Sequence, residues 1–134
     1  NEATLTFAAN DAVVCLLRRD GSPASAQMGW SSPPYEQWTW KDLGVRVGGP
    51  SLLRLPNGEL VAGVRLYTDA PRTALGWLDP RWGRFRELLS LPSGGDTSYP
   101  GLAWWDGHLW VSYYASHEGK TSIYVARVAV TPSE

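Results

Sequence analysis

Hydrophobic and polar positions alternate along this chain in short runs, and the runs recur. Three times an apolar strand leads into a polar two-residue turn and out into a second apolar strand. The first copy joins residues 4–7 to 12–17 through Asn10-Asp11. The second joins 51–55 to 60–64 through Asn57-Gly58, and the third joins 102–105 to 109–114 through Asp106-Gly107. Asn-Gly and Asp-Gly are strong hairpin signals, because a type I′ turn needs positive φ at both central residues. The turns begin at residues 10, 57 and 106, a period of about 48 residues. A third strand is predicted after each hairpin, at 24–30, 73–78 and 121–128. A fourth follows the first two, around 38–40 and 85–91.

Three or four antiparallel strands at this period predict an all-β chain of propeller blades, each an antiparallel meander. A tandem sandwich or barrel is the alternative; the matching order and spacing of the copies favour blades. The expected blades are approximately 1–47, 48–95 and 96–134, forming a single unit of 1–134 that is half of a six-bladed β-propeller. Three blades do not close a ring, since propellers use roughly four to eight. An open arc leaves apolar blade faces and strand edges uncovered. Either a second copy closing a six-bladed homodimer or N-terminal blades outside this sequence is expected to complete it.

Strand directions alternate in a meander, so the start of the first strand, the end of the second and the start of the third share one end. Glu2, Gly49 and Tyr99 each stand three residues before a strand leucine (Leu5, Leu52, Leu102) and are equivalent repeat positions. Arg18 and Arg65 close the second strands, each eight residues after its turn begins, and Arg72 opens a third strand. All are expected on one propeller face, most of them near the axis. Each also has a plainer reading. Arg18 with Arg19 and Asp20 suits a solvated loop, Glu2 suits an ordinary surface, and Tyr99 before Pro100 suits packing at a strand mouth.

Composition narrows the function classes. Eight Trp and six Tyr in 134 residues, with 14 Gly and 10 Pro, suit short half-buried strands with many turns. A net charge of −1 gives no electrostatic case for nucleic acid. No apolar run approaches the roughly 18 residues of a membrane span. One cysteine, Cys15, rules out an intrachain disulfide and reads as a small buried hydrophobe. His108 and His117 form no metal set with neighbouring carboxylates, and no cofactor motif is present, so neither a metal nor a cofactor is expected. His117 lies in a loop at the presumed site end, within reach of a substrate. No signal peptide is visible, and the compartment stays open.

The stretches NEATLTF with LLRRDG, VRLYTDAPRTALGWLD, and GGDTSYPGLAWWDGHLWVSYYASHEGKTSIYVARV resemble the exo-α-sialidases (neuraminidases). The likeness is greatest to the bacterial six-bladed, sialidase-like propellers and runs over essentially the whole chain. WSSPPYEQWTW sits where that family often has an Asp-box turn, without the Asp and Gly pattern. The resemblance implies a site for an acidic sugar, sialic acid, whose carboxylate is clamped by arginines through paired charge-assisted hydrogen bonds. It implies Tyr99 as nucleophile in place of the usual carboxylate, and Glu2 as the base that takes the phenolic proton. It implies Arg18 as the second clamp arginine, with Arg19 as a weaker candidate, and Arg72 as the third. Arg65 is a candidate second-layer or subsite residue. The family's first clamp arginine and its acid/base Asp precede the Glu, and here only Asn1 does. Three functions follow as candidates: the catalytic half of a sialidase or related glycosidase, a module that binds an acidic sugar without cleaving it, or a self-associating propeller building block with idle site residues.

Overall fold

The computed structural model describes residues 2–131. Among them eleven strands form three separate antiparallel sheets. The first sheet is β1 (Ala3–Phe7), β2 (Val13–Leu17), β3 (Gln27–Ser31) and β4 (Thr39–Asp42), in that order. The second is β5 (Val47–Arg54), β6 (Leu60–Leu66), β7 (Arg72–Asp79) and β8 (Arg84–Ser90). The third is β9 (Ser98–Trp105), β10 (His108–Ala115) and β11 (Ser122–Val128). Each sheet is a meander pairing only sequence neighbours. The first strand of each lies against the first strand of the next, β1 on β5 and β5 on β9. These are three consecutive blades of a β-propeller.

Burial follows from that stacking. The middle blade is covered on both faces, so β6 and β7 are buried almost without interruption. The end blades are covered on one face, so β1 and β11 alternate between exposed and half-buried residues. Val14, Leu16 and Met28 of the first blade interlock with Leu52, Val64 and Leu66 of the second. Val61, Leu75 and Trp77 of the second pack on Leu109, Val111 and Tyr113 of the third. Cys15 is a free, buried thiol.

Two of the three hairpins turn as expected. Asn10 and Asp11 both lie at φ 59°, and Asp106 and Gly107 at 51° and 72°. The middle one differs. Only Gly58 is left-handed (91°), Gly58 N–H donates to Leu55 O and Leu55 N–H to Glu59 O, giving a three-residue loop. Pro56 is the reason, because its ring holds φ negative where a type I turn begins. The strands β5 and β9 also start four residues earlier than the apolar runs suggest. Pairing continues past Pro50 and Pro100 because each sheet is bulged there, between Gly48 and Ser51 opposite Arg65 and Gly63, and between Ser98 and Gly101 opposite Tyr114 and Ser112. The third strand of the first blade starts three residues late, at Gln27. Ala26 instead exchanges backbone hydrogen bonds with Leu43 and Val45.

Candidate functional site

The three equivalent strand mouths meet. Tyr99 Oη donates to Glu2 Oε2 at 2.6 Å, and Gly49 N–H donates to Glu2 Oε1 at 2.9 Å. Glu2 is held at the end of β1 by its carbonyl, which accepts from Arg18 N–H and so adds one rung to the ladder. Gly49 and Tyr99 are the left-handed residues of the two bulges, φ 52° and 43°, each followed by proline. The bulge turns the Gly49 N–H and the Tyr99 side chain out of the ladder and towards Glu2. A methyl group on Gly49 would lie 2.3 Å from Ser98 Oγ and 3.2 Å from the Tyr99 ring, so the bare backbone there is what lets the three blades close on one carboxylate.

The ends of the second strands supply the charge. Arg18 Nη1 donates to Glu2 Oε1 at 2.8 Å and its Nε to Asp20 Oδ1 at 2.9 Å. Arg65 occupies the same position one blade on. Its Nε donates to Thr97 O at 2.6 Å, and its Nη2 to Tyr114 Oη at 3.1 Å and Asp96 Oδ1 at 3.3 Å. Tyr114 takes the corresponding position in the third blade, eight residues after its turn, and its ring stacks on Tyr99 with centroids 6.2 Å apart. Tyr67 lies between the arginines. Its hydroxyl accepts from Arg65 Nη1 at 3.3 Å, and the Arg46 guanidinium lies 4.1 Å above its ring. The sequence reading assigned no role to Tyr67, Tyr114 or Arg46. The repeat offset that aligns Arg18 with Arg65 also finds Tyr114; no comparable signal marks Tyr67 or Arg46.

Three candidates are not drawn into this cluster. Arg72 opens β7 as expected, but on the outer side of the blade. It pairs with Glu87 of β8 at 2.8 Å, bonds Ser90 and Thr68, and lines a separate depression of about 630 Å³. Beside Tyr99 it is the charge of Arg65 that is felt, because the third strand stands farther from the axis than the end of the second. Arg19 points the other way from Arg18, as neighbours on a strand end do, and binds Ser25 and Asp42. His117 packs on the Tyr124 ring at 4.8 Å and makes no bond to Glu2 or Tyr99. A cavity of about 370 Å³, lined by Trp77, Asp79 and Arg81, lies at the opposite end of the second blade and shares no residue with the cluster.

The electrostatics fix the protonation states. The hydrogen bond from Tyr99, followed by those from Arg18 and Gly49 and opposed by desolvation, pulls Glu2 down to about 2. The same bond and the Glu2 charge raise Tyr99 above the ordinary value of a phenol, while Arg65 and Arg18 pull it back. At neutral pH the pair is a carboxylate accepting from an intact phenol. Tyr99 is 58% exposed even with its ring stacked on Tyr114 and its hydroxyl bonded to Glu2. The charges of Arg65 and Arg18 both act on it, each guanidinium being paired with a carboxylate of its own. Among the described residues, no group of three or more His, Cys, Asp and Glu side chains comes together as a metal set.

No family model and no curated protein matches this sequence. Solved structures do. One is a protein of unknown function from Dyadobacter fermentans DSM 18053, with a TM-score of 0.85 at 22% identity, over 98% of this chain and 38% of that one. Another is the Bacteroides ovatus xyloglucan PUL protein GH43B, with a TM-score of 0.69 at 16% identity, over 98% of this chain and 27% of that one. This chain thus spans well under half the length of either. At these identities the likeness is one of fold, and it places a glycoside hydrolase among the structural neighbours of the three blades.

Proposed function

We propose that this chain carries the tyrosine–glutamate part of a sialidase-type site and binds an acidic sugar there by its carboxylate. The observation that carries this reading is the 2.6 Å bond from Tyr99 to Glu2, made between nonadjacent blades and flanked by Arg18 and Arg65. An isolated surface tyrosine has no need of such a partner. A neutral phenol is also suited to approach an anomeric carbon that bears a carboxylate, where a second carboxylate would be repelled. In the reaction this implies, a bond forms from Tyr99 Oη to the anomeric carbon as the phenolic proton passes to Glu2 Oε2. The bond to the leaving oxygen breaks with its electron pair. Glu2 already holds its charge at neutral pH and is ready to take that proton, but it is not an acid that can protonate the leaving group. We therefore expect binding to exceed turnover in this chain.

Calorimetry with N-acetylneuraminic acid and its methyl ester, together with hydrolysis of an aryl α-sialoside, tests the proposal. The acid should bind and the ester should not, with binding lost in Arg18→Ala and Arg65→Ala. Equal binding of acid and ester, or none of either, overturns it.

The building-block reading keeps one specific support. Leu5 and Phe7 on the first blade and Ile123, Val125 and Trp105 on the third are each more than half exposed, on the blades at the two ends of the arc. Leu5 is the repeat equivalent of Leu52 and Leu102. Leu52 is buried at the first blade junction, and Leu102 is half-buried and packed at the second. We propose that a second copy covers these faces, laying Leu5 of one chain on the open blade of the other.

A further inference from the structure

We propose that Asp96 is a resident carboxylate that occupies the ligand-facing edge of Arg65, and that an incoming carboxylate takes its place. The inference rests on the proposed anionic ligand, but it concerns a different residue and a different event. Arg65 is anchored through Nε, whose 2.6 Å bond to the Thr97 carbonyl fixes the guanidinium plane. Its Nη2 edge is held far less firmly. It reaches Asp96 Oδ1 at 3.3 Å and Tyr114 Oη at 3.1 Å. Tyr114 Oη in turn donates to the same Asp96 oxygen at 3.1 Å. The Asp96 side chain is 74% exposed, while that of Arg65 is only 14% exposed. One partner is thus built into the blade, and the other is a solvated group resting on it.

A ligand carboxylate entering beside Tyr99 meets the same two donors. It accepts from Arg65 Nη2 and Tyr114 Oη, the two bonds that Asp96 gives up, so donors and acceptors balance. Asp96 returns to water at little cost, because its carboxylate is already largely solvated while it rests on Arg65. Its backbone stays in place, since its carbonyl accepts from Ser116 Oγ at 3.1 Å independently of the carboxylate. The stacked ring of Tyr114 couples the exchange to Tyr99. Asp96 thereby sets a threshold: only an anion that competes with a tethered carboxylate enters, and neutral sugars gain nothing from Arg65.

The test uses sodium acetate as a plain carboxylate probe, followed at the arginine side-chain nitrogen signals by NMR at constant ionic strength held with sodium chloride. Arg65→Lys identifies the Arg65 signal. In Asp96→Asn and Asp96→Ala the acetate midpoint at Arg65 should fall at least threefold relative to the parent chain, with no change at Arg19, which is bound elsewhere. An unchanged or raised midpoint overturns the exchange. N-acetylneuraminic acid is then titrated into the same proteins. If acetate behaves as expected and the sugar binds none of them, the sugar reading fails and the exchange stands. If the sugar binds the parent chain and the two Asp96 variants equally, the exchange fails and the sugar reading stands.

Discussion

Gly49 and Tyr99 are the same residue of successive blades, left-handed in a bulge and followed by proline, and both donate a hydrogen bond to Glu2. One donates through its backbone and one through its side chain. A substitution at Gly49 should therefore be felt at Tyr99. Gly49→Ala keeps the N–H but places a methyl 2.3 Å from Ser98 Oγ at φ 52°. A left-handed non-glycine residue costs roughly 1–2 kcal/mol, and urea unfolding should show a loss at least that large. The variant should also weaken any ligand binding that depends on the Tyr99 hydroxyl. Unchanged stability would mean that the bulge relaxes freely.

Acid should weaken the fold through Glu2. Its pKa lies near 2 in the folded chain, below the ordinary 4.5, so the folded state prefers the charged form. The resulting stabilisation is fully present above about pH 4.5 and disappears as pH falls towards 2. The parent chain should be more stable than Glu2→Gln at pH 6, and the gap should narrow across that window. A gap that does not change with pH would place the effect in packing rather than charge.

The alkaline side gives a second reading of the same pair. Glu2 raises the Tyr99 pKa through its hydrogen bond and its charge. Removing that charge in Glu2→Gln should bring Tyr99 down towards 10. The phenolate absorbance of each protein, taken as a difference from its Tyr99→Phe counterpart, measures the shift directly. A rise in Glu2→Gln would contradict the assigned donor and acceptor.

Much of this arrangement is legible in the sequence, and the limits have physical causes. The Asn10-Asp11, Asn57-Gly58 and Asp106-Gly107 turns mark the repeat because turn chemistry is local. Repeat arithmetic then places Glu2, Gly49 and Tyr99 at one mouth without any knowledge of side-chain directions. It fails for Arg72. Sequence position gives the end of a strand but not its distance from the axis, and the pull of Glu87 across β7 and β8 has no linear signature. Tyr67 escapes because it lies just beyond β6, where strand periodicity no longer says which way a side chain points. The bulges at Pro50 and Pro100 escape because proline ordinarily argues against a ladder.

The aromatic residues of the outermost strands offer a contrast. The nearest atoms to a methyl on Gly29 would be those of the exposed Trp40 ring, at 2.6–2.9 Å, whereas one on Gly76 would meet the Phe85 ring at 2.4 Å and the Arg86 carbonyl at 2.9 Å. Gly29→Ala should therefore shift tryptophan fluorescence with little loss of stability, because a side chain at the surface can swing aside. Gly76→Ala should cost about 1–3 kcal/mol, the range for overpacking against atoms that cannot yield. Equal losses would mean that Trp40 is as firmly held as the backbone.

Light scattering decides how the end faces are covered. A self-associating chain of 14.7 kDa should give a species of about twice that mass, and Leu5→Asp should return it to the monomer. A soluble monomer that is indifferent to Leu5→Asp would show that the second copy is not the cover.

The bulges ahead of Pro50 and Pro100 give two successive blades a matching socket at the mouth. One socket presents a bare amide and the other a phenol, each to its own oxygen of the same carboxylate. The sockets are keyed rather than interchangeable. A side chain at residue 49 would run into Ser98 Oγ, so of the two only the later socket admits a phenol, and the blades stay in a fixed order around the mouth.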